Sequence, residues 1–470
     1  MTVVAELAGF AVAQRALPLA PEVRHAAVRA VVDWVSAAVP GSVLPPTRIL
    51  TEVLTGTSAS ASGAEAEAGT VAGTGTGTGT GARLVPSGRP VGVRTAALLN
   101  GTAAHAAELD DIYRDAYYHP GAPTVAAALA VAEHLDASGE DLLRAVTIGY
   151  EVGARIALAV GPAHYRHWHT TGTVGTFGAA AAAAELLQLD PDRFASALAT
   201  AATMTAGLQQ AFRSASMSKP LHAGHAAEAG TLAALAASRG LTGALYILEG
   251  QAGFGAATAG TTDWSAAISG LGDPFCITQT TVKNHACCGH AFAAIDAALE
   301  LRACGARAEE VASVEIETYQ TATQVAGRTD PRDGDDARFS LAYTVAAALV
   351  LGTVRLRAFT PEALGNPAIR RLAARTTVSI DPELDALAPL GRAARIRLTD
   401  HQGGRHERLR LTRKGDPDDP LSDDELRAKF DELVPPFIGE RRARSIASAL
   451  WDLPALPRVR ALDWGATGTT

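Results

Sequence analysis

Apolar positions recur at helical spacing over most of the first 250 residues. The run Pro21-Glu-Val-Arg-His-Ala-Ala-Val-Arg-Ala-Val-Val-Asp-Trp34 carries them after a helix-start proline, and residues 1–54 read as helices. Further on the pattern predicts helix after helix, over 95–115, 124–135, 139–160, 174–187, 192–209 and 218–239. No strand alternates with them, which argues against a parallel α/β sheet in this block. Past Trp264 the period changes. Segments 311–318, 376–380, 394–399 and 407–412 show two-residue alternation or β-branched character, with helices at 291–301 and 341–351 between them. The last two, joined by the turn-rich Asp400-His-Gln-Gly-Gly404, are expected to pair as a hairpin. The fold class this implies is mainly α: a large all-helical domain over 1–274, a smaller α+β lid domain over 275–413, and a C-terminal segment 414–470 returning to the helical domain.

Residues 56–81 depart from this texture and end in alternating Gly-Thr. A phosphate-cradling loop needs a preceding strand and a Lys-Ser/Thr ending, and both are missing, so the stretch reads as a flexible insertion. Composition narrows the class. With 47% hydrophobic and 19% charged residues over 470 positions, the chain has the make-up of a soluble globular protein of two to three domains' mass. The net charge of -8 and the lack of a basic stripe argue against nucleic acid as a partner. Four cysteines in so long a chain do not make a disulfide framework. The first residues lack a basic start, and the longest apolar run, 341–354, is too short to span a bilayer, so no membrane is expected and the address is cytoplasmic.

Chemistry concentrates in a few stretches. Asn100-Gly-Thr-Ala-Ala-His105-Ala-Ala-Glu108-Leu-Asp110-Asp111 continues to His119-Pro120-Gly121; were 103–115 one helix, Glu108, Asp111 and Asp115 would share a face. Pro120 and Gly121 would then end the helix with His119 at its mouth, suited to proton transfer; the alternative is a solvated charged face. Ten of the 13 histidines fall between His105 and His290, where an even spread would place about five. In Ser216-Met-Ser218-Lys219-Pro220-Leu-His222, Ser218 is a natural N-cap, which puts Lys219 at a helix N-terminus where a carboxylate binds, unless it is a plain surface lysine. His169 precedes Gly172, Gly175 and Gly178, which lack the strand of a dinucleotide fingerprint and read as close-packing positions. The stretch Lys283-Asn-His285-Ala-Cys287-Cys288-Gly-His290 invites a zinc reading, but adjacent cysteines rarely both reach one ion, so no metal is expected.

Taken in order, these motifs, with Phe339-Ser-Leu-Ala-Tyr343, resemble the 2-methylcitrate dehydratase (MmgE/PrpD) family over about residues 5–460. That family includes 2-methylcitrate dehydratase, cis-aconitate decarboxylase and iminodisuccinate epimerase. The resemblance implies a pocket between a helical and a lid domain, a homodimer, a small polycarboxylate substrate and no cofactor. Carried over by position, it implies catalytic roles for His119, His169, Lys219, Asp111 and His290, and substrate contacts from Glu108, Lys219, His222 and His285. Glu108 stands where many members have aspartate, and the 56–81 insertion is foreign to the pattern. The expected reaction is dehydration of a β-hydroxy di- or tricarboxylate through an α-carbanion, needing a base of near-neutral pKa and a cation for the enediolate. Epimerisation and cis-aconitate-type decarboxylation are the alternatives, and a binding protein that has lost the reaction is a third.

Overall fold

The computed structural model describes residues 1–56, 81–214, 216–388 and 391–465. The 56–81 insertion lies almost wholly outside the described residues. Two compact units emerge: Met1–Thr281 together with Asp423–Thr470, and Val282–Ser422. The second therefore begins and ends a little later than the expected 275–413.

The first unit is built on five helices, Val93–Ala106, Gly121–Leu135, Gly139–Tyr165, Gly175–Leu186 and Ser218–Ser238, which pack on one another. Alanine explains how. It is the best helix former and lets helix axes approach closely. Every residue of Gly175–Leu186 is buried, so this helix has no solvent face and no amphipathic stripe. A close crossing joins Ser218–Ser238 to Val93–Ala106. There a Cβ on Gly224 would lie 2.1 Å from Thr102 Oγ1 and 2.3 Å from the Leu98 carbonyl, so only glycine fits. This contact sets Lys219 and His222, one turn and less upstream, over the end of the Val93–Ala106 helix. The spaced glycines at 172–178 serve packing as expected: Gly178 sits against Tyr118 and Gly149.

Helix ends follow local chemistry. Ser138 and Asp141 form a reciprocal capping box at the start of Gly139–Tyr165, and Asp190 caps Pro191–Ala202. The expected helix over 192–209 stops at Ala202. Helix Ser218–Ser238 starts where expected, but Met217 and not Ser218 is its N-cap residue, which leaves Lys219 in the first turn. Asp423–Leu433 and Glu440–Trp451 pack on Pro21–Gly41 within this unit, and Trp464 is fully buried with Nε1 3.2 Å from Glu133 Oε1. Among the described residues no single helix is long and apolar enough to cross a membrane.

The second unit carries a four-stranded sheet in the order Thr376–Ile380, Val311–Thr318, Ala394–Asp400, Arg405–Arg410. The first pair is parallel and the other two are antiparallel. Val314 opposes Leu398 and Ile316 opposes Ile396, so the buried side chains alternate in step on neighbouring strands. Helix Phe292–Ala303 covers the hairpin, and it packs in turn on Leu341–Leu351.

Candidate active site

The acid segment is not a helix. Val93–Ala106 ends before it, and Glu108 takes a left-handed backbone (φ 57°), which turns the chain out of the helical path. The expected single helix over 103–115 is thus broken, and Glu108, Asp111 and Asp115 do not share a face. Ile112 instead exchanges two backbone hydrogen bonds of 2.9 Å with Thr281, and Tyr113 pairs with Tyr118. Nor does Gly121 end a helix. It begins Gly121–Leu135, so His119 stands just upstream of a helix N-terminus.

Breaking the helix sends the two aspartates in different directions. Asp110 Oδ2 accepts from His105 Nδ1 at 2.6 Å, with both side chains buried, and lies 3.3 Å from His119 Nδ1. His119 Nδ1 is also 2.7 Å from the Asp111 carbonyl oxygen. A carbonyl only accepts, so Nδ1 carries the proton and Nε2 is the basic nitrogen of the neutral ring. Asp111 turns inward. Its Oδ1 accepts from Gly121 N at 2.9 Å and its Oδ2 from the Tyr150 hydroxyl at 2.7 Å. Burial pushes the Asp111 carboxyl up to about 7, with the charges of Asp33 and Asp110 adding to it and the Tyr150 and Gly121 hydrogen bonds opposing it.

Four imidazoles run outward from the Asp110 carboxylate, His105 and His119 beside it and His169 and His222 beyond His105. The His105 ring lies 5.0 Å from that of His119 and 5.3 Å from that of His169, stacked on the latter. His169 and His222 approach Nδ1 to Nδ1 at 3.1 Å, so one of the pair donates and the other accepts. His169 is held in place by its backbone N–H on the Gly207 carbonyl at 2.9 Å. Burial, and then the neighbouring His105, Lys219, His119 and His222, depress His169 well below the ordinary histidine range. Burial likewise brings His222 down to about 4, helped by His105, His225 and Lys219. Both rings are therefore neutral near pH 7.

Lys219 completes the group by donating to Glu108 Oε1. Burial alone would lower its pKa, but the charge and hydrogen bond of Glu108, with Asp110 and Tyr165, outweigh that and raise it. It is a cation at any ordinary pH. Its side chain is 22% exposed and that of Glu108 36%, so solvent reaches this end of the cluster.

His105, Asp110 and His119 offer ligand atoms within 4.8 Å of one another, a spacing that a metal ion could bridge. The 2.6 Å separation of Asp110 Oδ2 from His105 Nδ1 argues otherwise. Two tetrahedral ligands at about 2.0 Å from an ion stand about 3.3 Å apart, so the shorter distance belongs to a shared proton.

The remaining expected site residues lie in the second unit. His285 is 1% exposed, with Nε2 2.8 Å from Asp296 Oδ1 and its ring edge-on to Phe292. His290 Nδ1 is 2.6 Å from the Tyr319 hydroxyl, and burial, then Arg392 and Arg413, bring it down to about 4. Burial also holds the Cys287 thiol well above its usual range, against any thiolate ligand there.

Within the first unit, then, His119, His169, His222, Lys219 and Glu108 come together, with Asp111 packed just behind them. His164 bonds Thr173 at 2.7 Å and His225 the Met204 carbonyl at 3.0 Å, both outside the cluster. A cavity of about 540 Å³ lined by Arg166, His167, Trp168 and Leu208 includes none of the clustered imidazoles. Reading by spacing missed Asp110 and His105 as partners. It had no signal for Tyr150, which sits in an apolar helix.

A family model for the MmgE/PrpD N-terminal domain matches residues 5–267, and one for the C-terminal domain matches residues 285–453. The chain belongs to the MmgE/PrpD family. The MmgE/PrpD N-terminal match lies inside the first unit, and the C-terminal match covers the second and runs on into the helices after Asp423. Among its relatives is the cis-aconitate decarboxylase-like protein oryM of Aspergillus oryzae, 30% identical over 391 residues, spanning 78% of this chain and 80% of that one. The cis-aconitate decarboxylase of Aspergillus terreus is 25% identical over 81% of this chain and 82% of its own. The human cis-aconitate decarboxylase is 34% identical over 167 residues, 34% of each chain.

Proposed function

We propose that this chain is a cofactor-independent lyase that decarboxylates an unsaturated tricarboxylate of the cis-aconitate type. The observation that carries the reading is the meeting of neutral imidazoles with one permanent ammonium around a shared carboxylate, from segments 105–119, 169–171 and 219–222. The family resemblance put dehydration first; the names of the relatives move decarboxylation ahead of it.

In this reading Lys219 exchanges Glu108 for a substrate carboxylate. The C–C bond to the departing carboxylate breaks, CO₂ leaves, and the electron pair passes into the unsaturated acid as an enediolate. Lys219 faces the charge that builds on the oxygens. His119 takes up a proton from water at Nε2, with Asp110 at 3.3 Å supplying the counter-charge the imidazolium needs, and gives that proton to the carbanion to form the new C–H bond, returning to the neutral ring. His169 and His222, kept neutral by burial, bind the substrate without adding a second charge. Dehydration and epimerisation share the same carbanion and differ in the group that leaves.

The test is NMR of cis-aconitate, 2-methylcitrate and iminodisuccinate, each incubated with the protein in deuterated water. The expected result is CO₂ release from cis-aconitate with one deuterium in the product. Loss of water from 2-methylcitrate, or exchange without net loss from iminodisuccinate, would replace decarboxylation by the corresponding reaction. Binding of all three with neither turnover nor exchange would overturn the enzyme reading.

A further inference from the structure

Behind the acid segment lies a charge pair that the reaction above does not use. Asp33, in the middle of Pro21–Gly41, is 1% exposed, and Lys429, in Asp423–Leu433, is 0% exposed. Lys429 Nζ donates to Asp33 Oδ1 at 2.6 Å and to the Leu109 carbonyl at 2.9 Å. Leu109 directly precedes Asp110. On the other side of the acid pair, Ile112 is held by its two 2.9 Å bonds to Thr281. Asp110 and Asp111 are thus bracketed by grips from parts of the chain about 170 and 320 residues away.

Stability is a weak explanation for this lysine. Taking an ammonium and a carboxylate out of water costs several kcal/mol per ion, and replacing such a pair with uncharged residues is often neutral or stabilising. What an apolar pair would not reproduce is the hold on a main-chain carbonyl beside the carboxylate that His105 and His119 share. The ion pair also belongs to the same buried field: Asp33 is raised by burial, lowered by Lys429 and raised by Asp110, and its charge in turn raises Asp111.

We propose that Lys429 is a positioning residue for the imidazole cluster, holding Leu109 so that the Asp110 carboxylate stays between His105 and His119. The proposal rests on the reading that this cluster is the catalytic site. Lys429→Met alone strands the Asp33 charge and is expected to lower stability. The informative variant is therefore Asp33→Asn with Lys429→Met, which removes both charges and is expected to regain most of the lost stability. If Lys429 positions the cluster, the double variant at wild-type melting temperature still shows kcat on cis-aconitate at least tenfold down, with KM within about threefold. The ring ¹⁵N signals of His105 and His119 are shifted as well. Asp33→Asn with Lys429→Gln keeps a donor for Leu109 and is expected to recover kcat to within about threefold and return the signals. A stable double methionine variant with wild-type kcat and wild-type ring signals would overturn the proposal. Should wild type leave cis-aconitate untouched, the functional reading fails by itself, and the ring signals alone decide the role of Lys429.

Discussion

Replacing Lys219 by glutamine tests the functional reading at its most exposed step. The cation pairs with Glu108, and its side chain is 22% exposed. In the folded protein the change leaves Glu108 with a solvent-reachable carboxylate, so the cost in stability is set by a partly exposed ion pair, on the order of 1 kcal/mol or less. The cost in catalysis is larger, because the ammonium meets charge that develops only as CO₂ leaves. Loss of one preorganised donor of this kind removes about 3–4 kcal/mol of transition-state stabilisation, a fall of about 10²–10³ in kcat. Ground-state binding suffers less in this reading, since His169 and His222 still meet the substrate, and the accompanying rise in KM is expected to stay near tenfold. The assay is steady-state CO₂ release from cis-aconitate at pH 7, beside a melting curve. A Lys219→Gln protein with normal melting and kcat within threefold of wild type refutes the role assigned to Lys219 and, with it, the enediolate step.

Other substitutions probe the rest of the site. Asp110→Asn removes the counter-charge from His105 and His119 and is expected to lower kcat by about 10²-fold, in the range of general acid–base contributions; a loss below threefold speaks against the shared-carboxylate arrangement. His169 and His222 have folded pKa values below the unfolded 6.5, so they contribute stability that is present above 6.5 and lost as pH falls below it, through about 4 for His222. Replacing both by glutamine should flatten the fall in melting temperature between pH 6.5 and 4, and an unchanged slope would contradict their neutral burial. Asp111 runs the other way. Its folded value near 7 lies above the unfolded 3.8, so its protonated form favours the fold below 3.8 and that advantage is lost as pH rises through 7. Asp111→Asn should therefore gain in melting temperature relative to wild type from pH 5 to pH 8, and a constant difference would rule this out. Trp464→Ala empties a fully buried site and removes one hydrogen bond from Glu133, which keeps its Arg83 partner, and is expected to cost about 3–5 kcal/mol in urea unfolding; a value under 1 kcal/mol would show that the C-terminal stretch is not held there.

The helical body was legible because alanine-rich periodicity, capping residues and helix-start prolines agree with one another along 121–238. The hairpin and the 311–318 strand were legible because alternation survives wherever one face is buried, as Val314, Ile316, Ile396 and Leu398 show. The acid segment misled for a physical reason. Charges three and four apart are what a solvated helix face presents, and nothing in the spacing of Glu108, Asp110 and Asp111 reveals that each is claimed by a different distant partner. Lys219 takes Glu108, His105 takes Asp110, and Gly121 with Tyr150 takes Asp111. Helix propensity is worth a few tenths of a kcal/mol per residue, whereas a buried carboxylate left without partners costs several, so tertiary pairing wins and the helix stops at Ala106. Asp33 and Lys429 were invisible for the same cause: each is one charge among several on its helix, Lys429 in the heavily charged Asp423–Leu433, and only the fold brings the two to 2.6 Å. The motifs that carried the family resemblance fall on the segments that supply the clustered imidazoles and Lys219. The broken helix is what lets them cluster, since a continuous one would have turned Asp110 away from His105 and left no carboxylate between the two rings.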